Sequence, residues 1–441
     1  MGPGGTPLGW AAWNGHEEVV EILLGRDDTN PNIPDYRGRT PLWCAALGGH
    51  EGIVKMLLER EDVNPNEPDI GGQTLLWWAS RNGQEEVVEM LLGRGDVNPN
   101  KPDKDDLTPL SCAAQNGYEG VVELLLGRDD TNPNKPDRCG RTPLWCAAMR
   151  MHKGVVKMLL EREDVNPNEP GIGGQTPLWC ASRNGQEEVV EMLLGRSDVN
   201  PDKSDSNGQT PLWCAAQNGY ERVVKMLVGR DDVNPNKQDI RGRTPLDRAA
   251  KNGYEGVAKV LLGRSDVNPN GFPLYLSPLC LAAQYGHEGL VKMLLGREDV
   301  NHDRPDEYNR TPLGCAAFGG YGSVVKILLE RGNINPDRPD NSGQTPLCRA
   351  ARCGRQSVVE ILLELDDVDP DRPDNYGQTP LSCAAENGHE GIVKMLLERN
   401  DVNPNQPDNN GQTPLGWATE NGHAGVMAVL QPLESAAPSR T

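Results

Sequence analysis

Phenylalanine is almost missing from this chain, with two residues in 441, and the aromatic residues together make up only 5%. A core filled by large rings is therefore excluded, and burial must come from Leu, Val and Ala. Long apolar runs are missing too. Nowhere do about 18 apolar residues follow one another, as a membrane-spanning helix requires. The start, Met1 to Trp13, has neither the basic end nor the apolar stretch of a signal peptide. The expectation is a soluble intracellular protein, cytoplasmic with the nucleus as an alternative. Positive charge is scarce: 44 Lys and Arg stand against 64 Asp and Glu, a net charge of −20. Such a field repels phosphate backbones and anionic lipid, so neither nucleic acid nor a membrane is an expected partner. The 11 cysteines contain no Cys-x-x-Cys pair, which argues against structural zinc. Free thiols imply a reducing compartment. No Ser-His-Asp elbow, His-Glu-x-x-His, phosphate loop or dinucleotide glycine motif occurs, so the chain is expected to be no enzyme and to use no cofactor or metal.

What the chain has in abundance is punctuation, 50 Gly and 36 Pro. It is regularly spaced. Thr-Pro-Leu begins at Thr6, Thr40, Thr108, Thr142, Thr176, Thr210, Thr244, Thr311, Thr345, Thr379 and Thr413, with degenerate copies at Thr74 and Ser277, giving 13 units. The step is 34 residues, shortened by one before the ninth unit. Self-similarity at a fixed period of this length marks a stacked repeat.

In the unit from Gly208 to Arg241, Thr210 is a helix N-cap and Pro211 takes the first helical position, where no amide is needed. Leu212, Ala215 and Ala216 form an apolar face, and Asn218-Gly219 ends the helix in the left-handed conformation open to glycine. Val223, Val224, Leu227 and Val228 then recur at helical spacing opposite Glu221, Arg222 and Lys225. Turn formers from Asp232 to Gly242 make an extended finger to the next unit. Helices of about eight residues are unstable alone, so each unit must bury its stripe against its neighbours.

These residues resemble the ankyrin repeat. Thr-Pro-Leu-x-x-Ala-Ala, Asn-Gly-(His/Tyr), Val-Val-x-x-Leu-Leu and Asp-Val-Asn recur in register over about residues 4 to 430. The resemblance implies an all-α solenoid, a helix-turn-helix plus β-hairpin or finger loop per unit. The unit is one residue longer than the family's 33, and the family's His after Thr-Pro-Leu is replaced by Trp43, Trp77, Trp145, Trp179 and Trp213 or by other residues. That Trp series is expected to pack as a ladder. The near-identical units resemble the ankyrin arrays of fungal NACHT-type receptors, although no phosphate-binding loop is present. Units repeat in blocks of three, as at Thr40 and Thr142. Twelve interfaces at about 8 to 10 Å imply a long stack rather than a compact globule. The expected organisation is repeats 1–8 over residues 1–270, repeats 9–13 over 271–430 after an irregular finger, and a disordered tail over 431–441 begun by Pro432.

Chemistry-bearing residues fit the scaffold better than a reaction. Seven cysteines (Cys44, Cys112, Cys146, Cys180, Cys214, Cys315, Cys383) share one repeat position. Packed helices lie too far apart for that ladder to cross-link, so the sulphurs read as small buried hydrophobes. Six of seven histidines follow the helix-ending glycine position and read as turn residues. Asp96-x-Asn98-x-Asn100 imitates the start of a calcium loop, but Lys101 and Leu107 stand where it needs Gly and Glu. Met151, where other units have glycine, should cost roughly 1 to 2 kcal/mol if the left-handed turn is kept.

Variation between units falls in two places. Before the finger glycine stand pairs such as Tyr36-Arg37, Ile70-Gly71, Arg138-Cys139, Ile172-Gly173 and Ile240-Arg241. After Ala-Ala or Ala-Ser come Arg81, Gln115, Met149, Arg183, Lys251 and Phe318, among others. Aromatic, Arg and Met composition suits interface anchors. The irregular finger Gly271-Phe272-Pro273-Leu274-Tyr275-Leu276 adds Phe272 and Tyr275. The expected function is a monomeric, non-enzymatic scaffold that binds a protein partner through the concave face and finger tips. The alternative is a detached sensor fragment of a larger receptor, suggested by a first unit without a polar cap.

Overall fold

The computed structural model describes residues 5–272, 276–331 and 334–435. Among them are 26 α-helices in successive pairs and no strand. The pairing follows from the caps. In the second repeat Thr40 is extended at ψ 166° and its hydroxyl accepts from the Trp43 amide, so the helix Pro41–Gly48 starts there; it ends where Gly49 turns left-handed at φ 72°. The second helix, Glu51–Leu58, buries Ile53, Val54 and Leu57 completely. It packs against the second helix of the first repeat, Glu17–Leu24. In the first repeat Val19 is 46% exposed where its equivalent Ile53 is 0% exposed.

The finger is a hydrogen-bonded turn folded around one buried aspartate, and this is why no strand pair is needed. Arg37 and Arg39 donate their backbone amides to Asp35 Oδ1 at 2.8 and 2.9 Å, while the Asp35 amide donates to Arg39 O at 2.8 Å. Asp137, Asp205, Asp239, Asp306, Asp340, Asp374 and Asp408 repeat the arrangement, and Asp69 and Asp103 make the same bonds while only half-buried. Where Gly171 replaces the aspartate, the chain instead makes a 3-10 turn, Ile172–Gly174. One backbone bond joins some neighbouring fingers, for example Ile70 N to Arg37 O at 3.0 Å.

A second tie between repeats runs through an arginine two residues beyond the second helix in several repeats. Arg60 pairs with Asp62 at 2.8 Å and donates Nη1 to Leu24 O, at the end of the preceding second helix, at 2.6 Å. Arg128, Arg162, Arg297 and Arg399 do the same to Leu92, Leu126, Leu262 and Leu363. These helix ends, which lack a left-handed glycine, thus have a bare carbonyl satisfied by the next repeat.

The Trp series packs as a ladder: Trp43, Trp77, Trp145, Trp179 and Trp213 are all buried. Trp77, Trp145 and Trp179 donate Nε1 to the carbonyls of Leu107, Gln175 and Gln209 at 2.8, 2.8 and 3.1 Å. Met151 does keep the left-handed turn, at φ 67°. One expectation is corrected at the end of the chain. Pro432 does not break the last helix, which runs Ala424–Ser435 with the proline inside, because Val426 and Leu430 stay buried along its apolar face. The rest of the expected tail, 436–441, lies outside the described residues.

The chain divides into two units, residues 1–214 and 215–441. The irregular finger falls inside the second, and the grouping into eight and five repeats stays an expectation of the sequence. Among the described residues no helix is long and apolar enough to cross a membrane.

Candidate binding surface

The residues singled out by their variation fall in two rows, the C-terminal ends of the first helices and the finger tips. In the first unit, Arg81 ends the helix Leu75–Asn82 and holds its guanidinium 5.2 Å over the Trp77 ring; Arg183 does the same over Trp179 at 5.2 Å. The buried ladder therefore orients exposed cations, which removes rotamer freedom before any partner arrives. Met149 is half-buried against Trp145, Cys146 and Trp179, so it forms a floor rather than a knob. Gln115 is half-buried, and its backbone carbonyl faces His152 Nε2 at 3.1 Å.

At the tips, Tyr36 is 64% exposed with Arg37 stacked 5.4 Å over its ring. Arg138 is exposed but already lies 3.4 Å from both Asp105 and Asp106, a surface pairing worth little. Exposed Ile70, Ile172, Ile240, Tyr308 and Tyr376 continue the apolar tips. Phe272 is half-buried, and Tyr275 lies outside the described residues.

In the second unit two of the expected residues come together. Arg241 and Lys251 line a cavity of about 240 Å³ with Arg243, Arg248, Tyr285, Glu307 and the apolar Leu276 and Leu281. Four cationic groups meet there in a chain of net charge −20. Arg243 is forked on buried Asp239, with Nε 2.7 Å from Oδ2, and Lys251 Nζ sits 5.6 Å from the Tyr285 ring centroid. At the base is Asp247, in the slot where other repeats carry Trp. Its Oδ2 accepts from the Thr244 amide at 2.8 Å and the Thr244 hydroxyl at 2.9 Å, completing a capping box. Burial pushes its carboxyl up to about 6 against the opposing pull of the Thr244 bonds and Arg248. Burial, then the nearby Arg243 charge, also lowers the pKa of Arg248. Phe318, at the end of the helix Pro312–Gly319, carries Arg349 at 5.1 Å over its ring.

Sequence reasoning missed Arg243, Arg248, Tyr285, Tyr308 and Arg349. The available signal was the scaffold slot itself: Asp247-Arg248 stands where most first helices have small or ring side chains, so a departure there changes the chemistry of that helix face.

The remaining polar groups are occupied by the scaffold. His50, His152, His287, His389 and His423 each place Nε2 at 2.9 to 3.2 Å from a first-helix carbonyl of the preceding repeat. Asn98 Oδ1 accepts from the Asn100 amide, and Asn100 Nδ2 donates to Asp130 O, so the calcium-like triplet is committed to its own turns. Burial raises the thiols of Cys44, to about 11, and of Cys146 and Cys180, to about 12, which keeps these three neutral. One cluster has the makings of a cation site. Cys348, Asp374 and Cys383 are buried with ligand atoms within 4.8 Å of one another. Arg352 already supplies positive charge there, with Nη2 3.2 Å from Cys383 Sγ and 3.6 Å from Asp374 Oδ2.

A comparison with curated proteins gives no match. The family description "Ankyrin repeats (3 copies)" matches residues 2–69, 61–137, 110–203, 197–271, 279–374 and 365–436. With capped helix pairs, aspartate-centred fingers and a family match running through nearly the whole length, the chain belongs to the ankyrin repeat family.

Proposed function

We propose that the chain is a non-enzymatic binding module that holds a protein partner against the ends of its first helices and its finger tips. Ankyrin repeats are generally protein-interaction modules, and the family is typically without enzymatic activity. The observation that carries the reading is the contrast within each repeat. Scaffold side chains such as Leu110, Ala113, Ala114, Val121 and Leu125 are buried and nearly unchanging, while the two exposed rows change chemistry from repeat to repeat. Arg81, Arg183 and Phe318 are the best anchors, because each stacks with a neighbour and stays exposed. The cavity around Arg241, Arg248 and Lys251 suits an acidic side chain of the partner, flanked by an apolar one against Leu276 and Leu281.

Capture from a cell lysate tests this reading. The variant Arg81→Ala, Arg183→Ala, Phe318→Ala should lose the proteins that the wild type retains. A variant on the outer side, Glu89→Ala with Glu123→Ala, should retain them. Equal catches for all three would remove the first-helix row from consideration.

A further inference from the structure

Four cysteines differ from the rest in how they are placed. Cys348 Sγ and Cys383 Sγ are 3.2 Å apart and buried. Cys280 and Cys315, also buried, hold the same two positions two repeats earlier. Both pairs join neighbouring repeats, 35 residues apart. Their origin lies in the Trp slot. Cys280 and Cys348 occupy it, and each next repeat supplies a cysteine of the ladder. Cys280 even keeps the Trp bond, its Sγ lying 3.9 Å from Arg310 O, 30 residues on. Where the slot holds Trp, the ladder sulphur meets an indole instead, as among Trp145, Cys146, Trp179 and Cys180. The ladder alone cannot cross-link; a ladder sulphur beside a slot sulphur can, because the two come from different positions on adjacent helices, and at Cys348 and Cys383 they need only close by about 1.2 Å.

We propose that Cys280–Cys315 and Cys348–Cys383 are two oxidisable dithiol sites, at which a peroxide closes a disulfide between neighbouring repeats. At the second site Arg352 leads to the sulphur. Its Nη2 donates to Cys383 Sγ at 3.2 Å, and its side chain is 29% exposed, so the thiol lies one side chain from solvent. Cys383 sulphur attacks one peroxide oxygen, the O–O bond breaks, and the departing hydroxide with the thiol's proton becomes water. The sulfenic acid so formed is attacked by Cys348 sulphur, the S–O bond breaks, and the second hydroxide leaves as water with the Cys348 proton. Two thiols and one hydrogen peroxide thus give one disulfide and two waters.

The test uses the full chain, reduced, freed of reductant and exposed to hydrogen peroxide. It is then alkylated, digested without reduction and read by mass spectrometry. Expected are two cross-linked peptide pairs, 280–315 and 348–383, loss of four of the 11 thiols, and full recovery with dithiothreitol. Cys348→Trp installs the residue other repeats carry in that slot and should remove only the 348–383 link. Cys383→Ala, checked for helix content by circular dichroism, should do the same and covers the case in which the Trp variant does not fold. Thiols that stay alkylatable, links among Cys44, Cys112, Cys146, Cys180 or Cys214, or sulfinic acids without links would overturn the proposal. So would one zinc ion bound per chain at Cys348 and Cys383 with no link formed there.

Discussion

At the scale of single residues, two kinds of buried aspartate behave oppositely. At Asp35 burial pushes the carboxyl up, but the Arg39 fork and the amides of Arg39 and Arg37 outweigh it, and its pKa falls below the ordinary value. Asp247 has no such fork: Thr244 satisfies one oxygen, Arg248 contributes only through space, Asp239 opposes ionisation, and burial wins, raising it to about 6. A carboxyl with a raised folded pKa binds its proton more tightly in the folded state. Its contribution to stability is therefore complete below the unfolded value of 3.8 and is lost as pH rises through about 6. Near pH 7.5 the buried charge costs about 3 kcal/mol at most, since each pKa unit is about 1.4 kcal/mol. Asp247→Asn keeps an acceptor for Thr244 without the charge. It should raise the urea midpoint at pH 7.5, by about 1 to 2 kcal/mol, and much less at pH 5. A difference between the two proteins that does not change with pH would show that Asp247 is not the ionising group.

At the scale of elements, the helix ends carry most of what the sequence could say. Threonine caps with proline behind them, and glycines beyond the last helical turn, mark nearly every first helix, and the observed helices Pro109–Asn116 and Pro211–Asn218 begin and end on those signals. Legibility stopped where a residue acts on another repeat. The aspartate at the centre of the finger reads in sequence as one turn former among many, and the arginine that caps the previous helix lies 36 residues from the carbonyl it serves. Proximity of that kind has no local pattern. Pro432 failed as a stop signal for the same reason, because burial of Val426 and Leu430 outweighed the local penalty. In the candidate surface the exposed rows were readable as variation, whereas the cavity at Arg241 and Lys251 needed residues from three repeats to be seen together. Met151 gives this scale its prediction. It holds the left-handed cap position at φ 67° and is 61% exposed, so its side chain gains little from packing while its backbone is strained. Met151→Gly should stabilise the protein by about 1 kcal/mol, read as a higher midpoint in chemical unfolding; an unchanged or lower midpoint would mean that the methionine's contacts offset the strain.

At the scale of the whole molecule, stability must come from between repeats, because nothing inside one repeat suffices. The repeat beginning at Thr108 has helices Pro109–Asn116 and Glu119–Leu126, eight residues each. In the intact protein Leu110, Ala113, Ala114, Val121, Val122 and Leu125 are at most 1% exposed. Alone, that unit would present both sides to water, as the first repeat already does on one side with Val19. It would also lose the Arg128 cap on Leu92 and the Asn100 bond to Asp130. Helices this short are marginal in water even with good propensity. A peptide spanning residues 108–141 should therefore show little helical circular dichroism and no cooperative thermal transition, while the intact protein melts with a sharp one. Helicity and a cooperative melt in the isolated peptide would mean that each repeat folds on its own, and the inter-repeat arginine, asparagine and Trp contacts would then be decoration on autonomous units rather than the source of order.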